Sequence, residues 1–357
     1  LETGARAAGS AVAKDLGKLG IGGCPPANAG AEGACIDAFI STFGRKAYRR
    51  PLEDDERTRL KELYTQVRGS YDFPTAVELV TDAILQSPQF LYRIERGEGS
   101  GDAVKLTGHE MAARLSYLLW DTMPDADLVA AAESGKLNTP AELERQVDRM
   151  LGDPRAEKML AEYARQWLNY DLFRGKASQK DATKFPMWND QIASDLFAGM
   201  DRFIADALLG SGGGLNKLFT SRRGFVTDKT AFVYGVQASG SALSGVDLPQ
   251  AQRAGLLTQG ALLAGAAHPT AQSPVQRGAL VLERVMCAAP PDPPNNVIPG
   301  AVNPMPNAVL TVRQRAVEEH QGQGGACQAC HEYIDGVGFA FENYDAIGRW
   351  QTEEVYG

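Results

Sequence analysis

The string Cys327-Gln328-Ala329-Cys330-His331 is where this chain carries recognisable chemistry. Two cysteines three positions apart share one side of a helical turn, so both sulfurs can reach the two vinyl groups of one porphyrin. His331, the next residue, would then offer its imidazole to the iron, and redox chemistry would belong to a covalent haem c rather than to a side chain. A disulfide within the string and half of a zinc site are the alternatives. Zinc would need a second ligand pair, and Cys24 and Cys35, with ten residues between them, lack that spacing.

A sixth ligand to such an iron has few sources. The chain has four histidines, His109, His268, His320 and His331. His268, just before Pro269, is the first candidate. Its competing role is that of a hydrogen-bonded loop histidine. His320 would end a helix, where an imidazolium also suits the helix dipole. Met305, between Pro304 and Pro306, is a further alternative, as is Met286. Two strong axial ligands make an electron carrier, whereas an open face lets peroxide or dioxygen bind. After the string come Asp335, Glu342, Asp345 and Arg349, which could orient His331, neutralise a haem propionate or bind calcium. Capping of glycine-rich turns and a simple ion pair would use the same residues. Trp350 reads as a residue packed on haem or in the core.

Composition narrows the class. Hydrophobic residues make up 44% and charged residues 22% of 357 positions, an ordinary globular mixture. The formal charge of -8 and the absence of a basic stripe argue against a nucleic-acid partner. No run approaches eighteen apolar residues, so no transmembrane segment is expected. The chain starts at Leu1 without a signal segment, which reads as a processed or truncated piece whose export signal lies upstream. Of five cysteines, two serve the haem string, Cys24 and Cys35 form the expected disulfide, and Cys287 is odd. Closing that loop would contribute about 3 kcal/mol in the chain-entropy model. Two reduced buried cysteines are the bland alternative. A disulfide and covalent haem both point outside the cytoplasm, to the periplasm or beyond.

The elements that must position the string read as helices. Thr107 and Glu110 form a capping box opening a helix to Trp120, and Pro140 and Pro154 stand at first helical positions. Met159, Tyr163, Gln166, Trp167 and Tyr170 repeat at helical spacing and read as a core stripe. Further helices are expected over Cys35 to Tyr48, Glu53 to Val67, Pro74 to Ile94, Asp190 to Leu209, Gln250 to Ala264, Ser273 to Met286 and Thr311 to His320. Phe225, Val226, Phe232 and Val233 suggest a short β-hairpin after the Ser211-Gly214 breaker. Seven of the seventeen positions from Pro290 to Pro306 are proline, which favours an extended tether. The expectation is a mostly-α chain: a multi-helix body, a short hairpin, and a C-terminal haem segment after the tether.

Several strings resemble the multi-module c-type cytochromes of planctomycetes and myxobacteria, whose modules are mostly of unknown function. Phe43-Gly44-Arg45-Lys46-Ala47-Tyr48-Arg49-Arg50-Pro51-Leu52 is similar to their N-terminal module. The stretches Ala83 to Arg93 and Arg114 to Trp120 resemble the central helical module. Gly255 to Gln259 and Ser273-Pro274-Val275-Gln276-Arg277-Gly278 resemble the next, and His331 to Trp350 the haem module. The resemblance implies a helical module with a disulfide over 1–104, helical modules over 105–249 and 250–289, a linker over 290–306, and a haem module over 307–357, truncated at its end. It implies one covalent haem held by Cys327, Cys330 and His331, with Arg349 and Trp350 beside it, in an exported redox protein. The function expected is electron transfer to a partner protein, or oxidase- or peroxidase-like oxidation of an extracellular substrate. A pure electron carrier and a binding protein with haem as a folding staple are the alternatives. A hydrolase has no support, since no nucleophile elbow or HExxH string is present.

Overall fold

The computed structural model describes residues 1–101, 103–291, 310–318 and 326–354. Helices dominate, with one two-stranded antiparallel sheet. Contacts divide the chain into two compact units, Leu1–Ala156 and Glu157–Gly357. No helix among the described residues is long and apolar enough to cross a membrane.

In the first unit the expected helix from Cys35 to Tyr48 starts at Glu32. It runs as Glu32–Phe39, a π-turn Ile40–Gly44 and Arg45–Tyr48, and stops where Arg49 turns left-handed at φ 58°. The helix expected over Pro74 to Ile94 is two helices, Phe73–Gln86 and Pro88–Leu91. Pro88 is the cause: its ring forces Ser87 into extended backbone, at ψ 149°, and the Ser87 side chain then caps the second helix by accepting from the Phe90 N–H. Cys24 and Cys35 are joined by a disulfide, Cα to Cα 5.1 Å, beside a core of Phe39, Ile40, Val80 and Ile84. The Thr107–Glu110 capping box forms as the sequence indicates, and the helix Gly108–Trp120 follows it.

In the second unit the helix Asp190–Leu209 carries ten buried residues through the core. Strand Arg223–Val226 (β1) pairs with Ser244–Asp247 (β2), with Arg223 opposite Asp247 and Val226 opposite Ser244. The expected hairpin is thus corrected. Phe225 and Val226 lie in β1, but Phe232 and Val233 lie in a short helix, Ala231–Tyr234, between the strands. The helix expected over Gln250 to Ala264 is also shorter, a 3₁₀ turn Leu256–Thr258 and then Gly260–Gly265. Gly255 at φ 63° breaks it.

The helix Pro154–Trp167 turns a different face inward from the one its aromatic stripe suggests. Ala156, Ala164 and Leu168 are buried, while Tyr163 is 58% exposed and Gln166 faces solvent. Small side chains let the backbone approach the core closely, and the larger rings pack along the flank, Tyr163 against Trp167 at 6.1 Å.

Beyond this helix, Tyr170 is buried against Phe197, with ring centroids 5.0 Å apart, and lines a cavity of about 100 Å³ with Asp201, Arg165 and Arg174. Burial pushes the Asp201 carboxyl up to about 6, with the neighbouring arginines only partly offsetting it. A carboxyl whose folded pKa lies above its unfolded value costs little at pH 4 and most above pH 6. Asp201→Asn is therefore expected to stabilise the protein by about 1–2 kcal/mol at pH 7.5, after discounting for solvent screening, and to give almost no gain at pH 4. Urea midpoints of both proteins at the two pH values check this. An equal gap at each pH would remove burial as the cause.

Candidate functional site

The string lies at the start of a thirteen-residue helix, Ala326–Gly338. Cys327, Cys330, His331, Ile334, Asp335 and Gly338 stand at i, i+3, i+4, i+7, i+8 and i+11, so they share one stripe. The C-terminal half of that stripe is buried: Ile334, Asp335 and Gly338 are covered, while Glu332, Tyr333 and Gly336 face solvent.

What covers it is the helix Pro274–Leu280. Ser273 caps this helix by accepting from the Gln276 N–H, and Pro274 occupies its first turn. The two helices run antiparallel. Gly278 lies against the Ile334 carbonyl and Gly338 against the Pro274 carbonyl, each so close that a β-carbon would collide with that oxygen. The next turn, Val281–Val285, also contacts the string-bearing helix, toward its start, and Met286 ends that turn half exposed.

A buried arginine fastens the chain that follows. Arg277 donates from Nη1 to the carbonyls of Phe341 (2.8 Å) and Tyr344 (2.7 Å), and from Nη2 to those of Leu263 (3.0 Å) and Asp345 (2.7 Å). A second, Arg253, donates to the carbonyls of Thr258, Val233 and Gly348 and stacks on the Tyr344 ring at 4.7 Å. Both are at most 2% exposed. Neither has an ion-pair carboxylate among the described residues; apart from a long contact from Arg277 to Oε1 of Gln272 at 3.5 Å, their acceptors are main-chain oxygens. Burial pushes the Arg277 guanidinium down to about 9, so it stays a cation at neutral pH.

At the string itself, Nδ1 of His331 lies 3.4 Å from Oδ1 of Asp335, one helical turn on. The Asp335 side chain is fully buried and the imidazole is 26% exposed. A carboxylate on Nδ1 fixes the tautomer that presents Nε2 as a metal ligand. The Cys330 thiol is free of any disulfide among the described residues. These donors suit a haem held by thioethers and one imidazole: two thiols at the required spacing and an imidazole oriented by a buried acid. Cys327 lies on the same helix; its side chain is outside what the structure describes.

The other candidates are placed as follows. Arg349 pairs with Asp345, Nε to Oδ2 2.8 Å, and Asp345 also accepts from the Ile347 and Arg349 N–H groups, so it caps the turn. Glu342 pairs with Arg313. The acids named as calcium candidates thus go to separate partners, and among the described residues no group of three or more ligating side chains converges. Trp350 packs edge-on against Tyr344 at 5.3 Å. His268 sits in the loop before Ser273, its Nδ1 3.3 Å from Nε2 of Gln276, and Lys180 donates to its carbonyl at 3.1 Å. Its ring reaches the surface on one side. Packing on the other, together with Lys180 and Lys176, holds its pKa below the usual value. Burial beside Arg277 pushes Lys180 down to about 7. Among the described residues no hydrogen bond joins His268 to His331. Met305 and His320 lie outside the described residues.

Sequence reasoning passed over Arg253 and Arg277 as structural groups. The available cue was an arginine inside an otherwise apolar stretch, as at Arg277 in Ser273 to Val281.

Comparison with known families gives three matches in chain order. Residues 35–95 match PSD5, a protein of unknown function (DUF1595). Residues 106–236 match PSD4, a protein of unknown function (DUF1592). Residues 253–354 match PSCyt3, a protein of unknown function (DUF1588), and this last match takes in the Cys327–His331 string. These are modules of the planctomycete-type cytochromes that the sequence resembles. No curated protein and no solved structure gives a match.

Proposed function

We propose that this chain is an exported redox protein that carries one covalent haem at Cys327, Cys330 and His331. The observation that supports it most is the buried Asp335 carboxylate against Nδ1 of His331, directly after the two cysteines. A disulfide would have no use for an imidazole so oriented, and a zinc site, which would use it, would need a second ligand pair that Cys24 and Cys35, joined to each other, do not supply. When bound, the haem would supply one-electron chemistry at its iron.

The chain's own part is attachment and orientation. The thiols of Cys327 and Cys330 would form the thioethers, and Nε2 of His331 would hold the metal. Asp335 keeps the imidazole from rotating, while Arg277 and the close contact of Gly278 and Gly338 fix the helix on which all of these stand. The disulfide in the first unit accords with export.

Expression behind a secretion signal, in cells that mature c-type cytochromes, tests the reading. The denatured protein is expected to be red and heavier than the polypeptide by one haem, and a Cys327→Ser/Cys330→Ser variant to be colourless. Colourless, unmodified parent protein from maturing cells would overturn it. Adding carbon monoxide to the reduced form separates a carrier, which leaves the spectrum unchanged, from a site open to a small oxidant.

A further inference from the structure

The first unit holds a cavity of about 250 Å³ that owes nothing to the haem string. Its wall comes from the end of the helix Arg45–Tyr48, the stretch Gln89 to Gly97, and the start of the helix Gly108–Trp120. It therefore lies where the match over 35–95 meets the match over 106–236.

Most of its charged groups are committed to holding the fold. Arg49 donates to the carbonyls of Gln89 (2.7 Å), Phe90 and Tyr92 (2.9 Å). Arg50 grips the buried Glu56 with both terminal nitrogens, at 2.9 and 2.8 Å. Glu110 accepts from the N–H groups of Arg96 (2.7 Å), Gly97 (3.1 Å) and Thr107 (2.8 Å), and Glu95 pairs with Arg114. Glu53 caps the helix Asp54–Arg68.

Three groups of the wall are not so committed. Arg93 stacks on the Tyr117 ring at 4.8 Å, and neither its guanidinium nor that of Arg96 has a hydrogen bond or ion pair to a described residue. His109 lines the same cavity, and its Nε2, itself closed to solvent, has no hydrogen-bond partner among the described residues. Tyr48, Tyr92 and Ile94 add flat or apolar surface. Two uncommitted guanidinia around a cavity large enough for a ring define a site for an oxyanion.

We propose that this cavity binds a small ring-bearing acid, whose carboxylate, sulfate or phosphate pairs with Arg93 and Arg96 and whose ring lies against Tyr48, Tyr92 and Ile94. The helix N-terminus at Gly108 is already capped by Thr107 and is not required.

Isothermal calorimetry at constant ionic strength, with benzoate, phenyl sulfate and phenyl phosphate as probes and phenol as the uncharged control, tests this. At least one acid is expected to bind saturably, about tenfold or more tighter than phenol, and the probe that does so identifies the oxyanion. The double variant Arg93→Gln/Arg96→Gln, at two exposed positions, should weaken that binding about tenfold or more while its ligand-free melting temperature stays that of the parent. The proposal is overturned if none of the acids saturates, if phenol binds as well, or if the double variant binds unchanged.

Discussion

Arg277→Ala is expected to strip the C-terminal segment from the second unit and to lower its stability by about 4 kcal/mol or more. Four main-chain oxygens lose a donor at once; those of Phe341 and Asp345 keep an N–H, from Tyr344 and Gly348, while those of Leu263 and Tyr344 are left without a partner. Each buried acceptor left without a partner costs about 1–3 kcal/mol, and water admitted by the shorter side chain recovers part of it. The remainder is comparable with the whole stability of many domains. Methionine, which often replaces a buried ion without loss, should not rescue this position, because the orphaned groups are carbonyls of the main chain and not a second ion. Lysine should recover less than half, since one ammonium cannot reach acceptors spread around a planar fork. Urea unfolding followed by circular dichroism, with limited proteolysis mapping cuts between Phe339 and Arg349, checks this. An unchanged midpoint would show that the Leu263 and Tyr344 carbonyls find other partners.

Asp335→Asn is expected to leave the fold in place and to loosen what stands on it. In the parent, a buried carboxylate faces Nδ1 of His331 at 3.4 Å. An amide of the same shape offers a weaker acceptor, or turns its NH₂ group toward the ring and favours the other tautomer. With haem attached, as proposed, the loss should appear as a higher reduction potential, because an imidazole held by a carboxylate is the better electron donor. It should also appear as displacement of His331 by an added ligand at concentrations on the order of ten- to a hundredfold lower. Voltammetry and an imidazole titration provide both readouts. A potential and a displacement curve equal to the parent's would reduce Asp335 to a filler of space.

What could be read from the sequence follows the distance over which each feature is determined. The Thr107–Glu110 capping box needs only four consecutive residues, and it forms as written. The Cys327-Cys330-His331 string and Asp335 lie within one helix, so their shared stripe is a matter of counting. Ser87-Pro88 also held a local signal, and a helix drawn through it ignored what proline does to its predecessor. The partner of β1 was hidden for another reason: β2 is separated from it by a helix and loops, and pairing of that kind leaves no local mark. The aromatic stripe of Pro154–Trp167 misled because size and periodicity show that a helix has two faces, whereas the core chose the alanine face. Arg277 is the extreme case, since its four main-chain acceptors come from Leu263 and from a segment more than sixty residues further on. The cavity of the first unit belongs to the same class, gathered from three separated stretches around Tyr48, Arg93 and His109.

The bare backbone meeting of Gly278 with Ile334 and of Gly338 with Pro274 also bears on anyone wishing to rebuild this attachment helix elsewhere. Such a joint works like a dovetail, where the socket is as specific as the tongue. Transplanting Ala326–Gly338 alone would leave its covered edge without a mate; Pro274–Val285 would have to travel with it. Swapping either glycine for alanine would push the two rods apart and tilt the cysteines, without altering one letter of the string that everyone would check first.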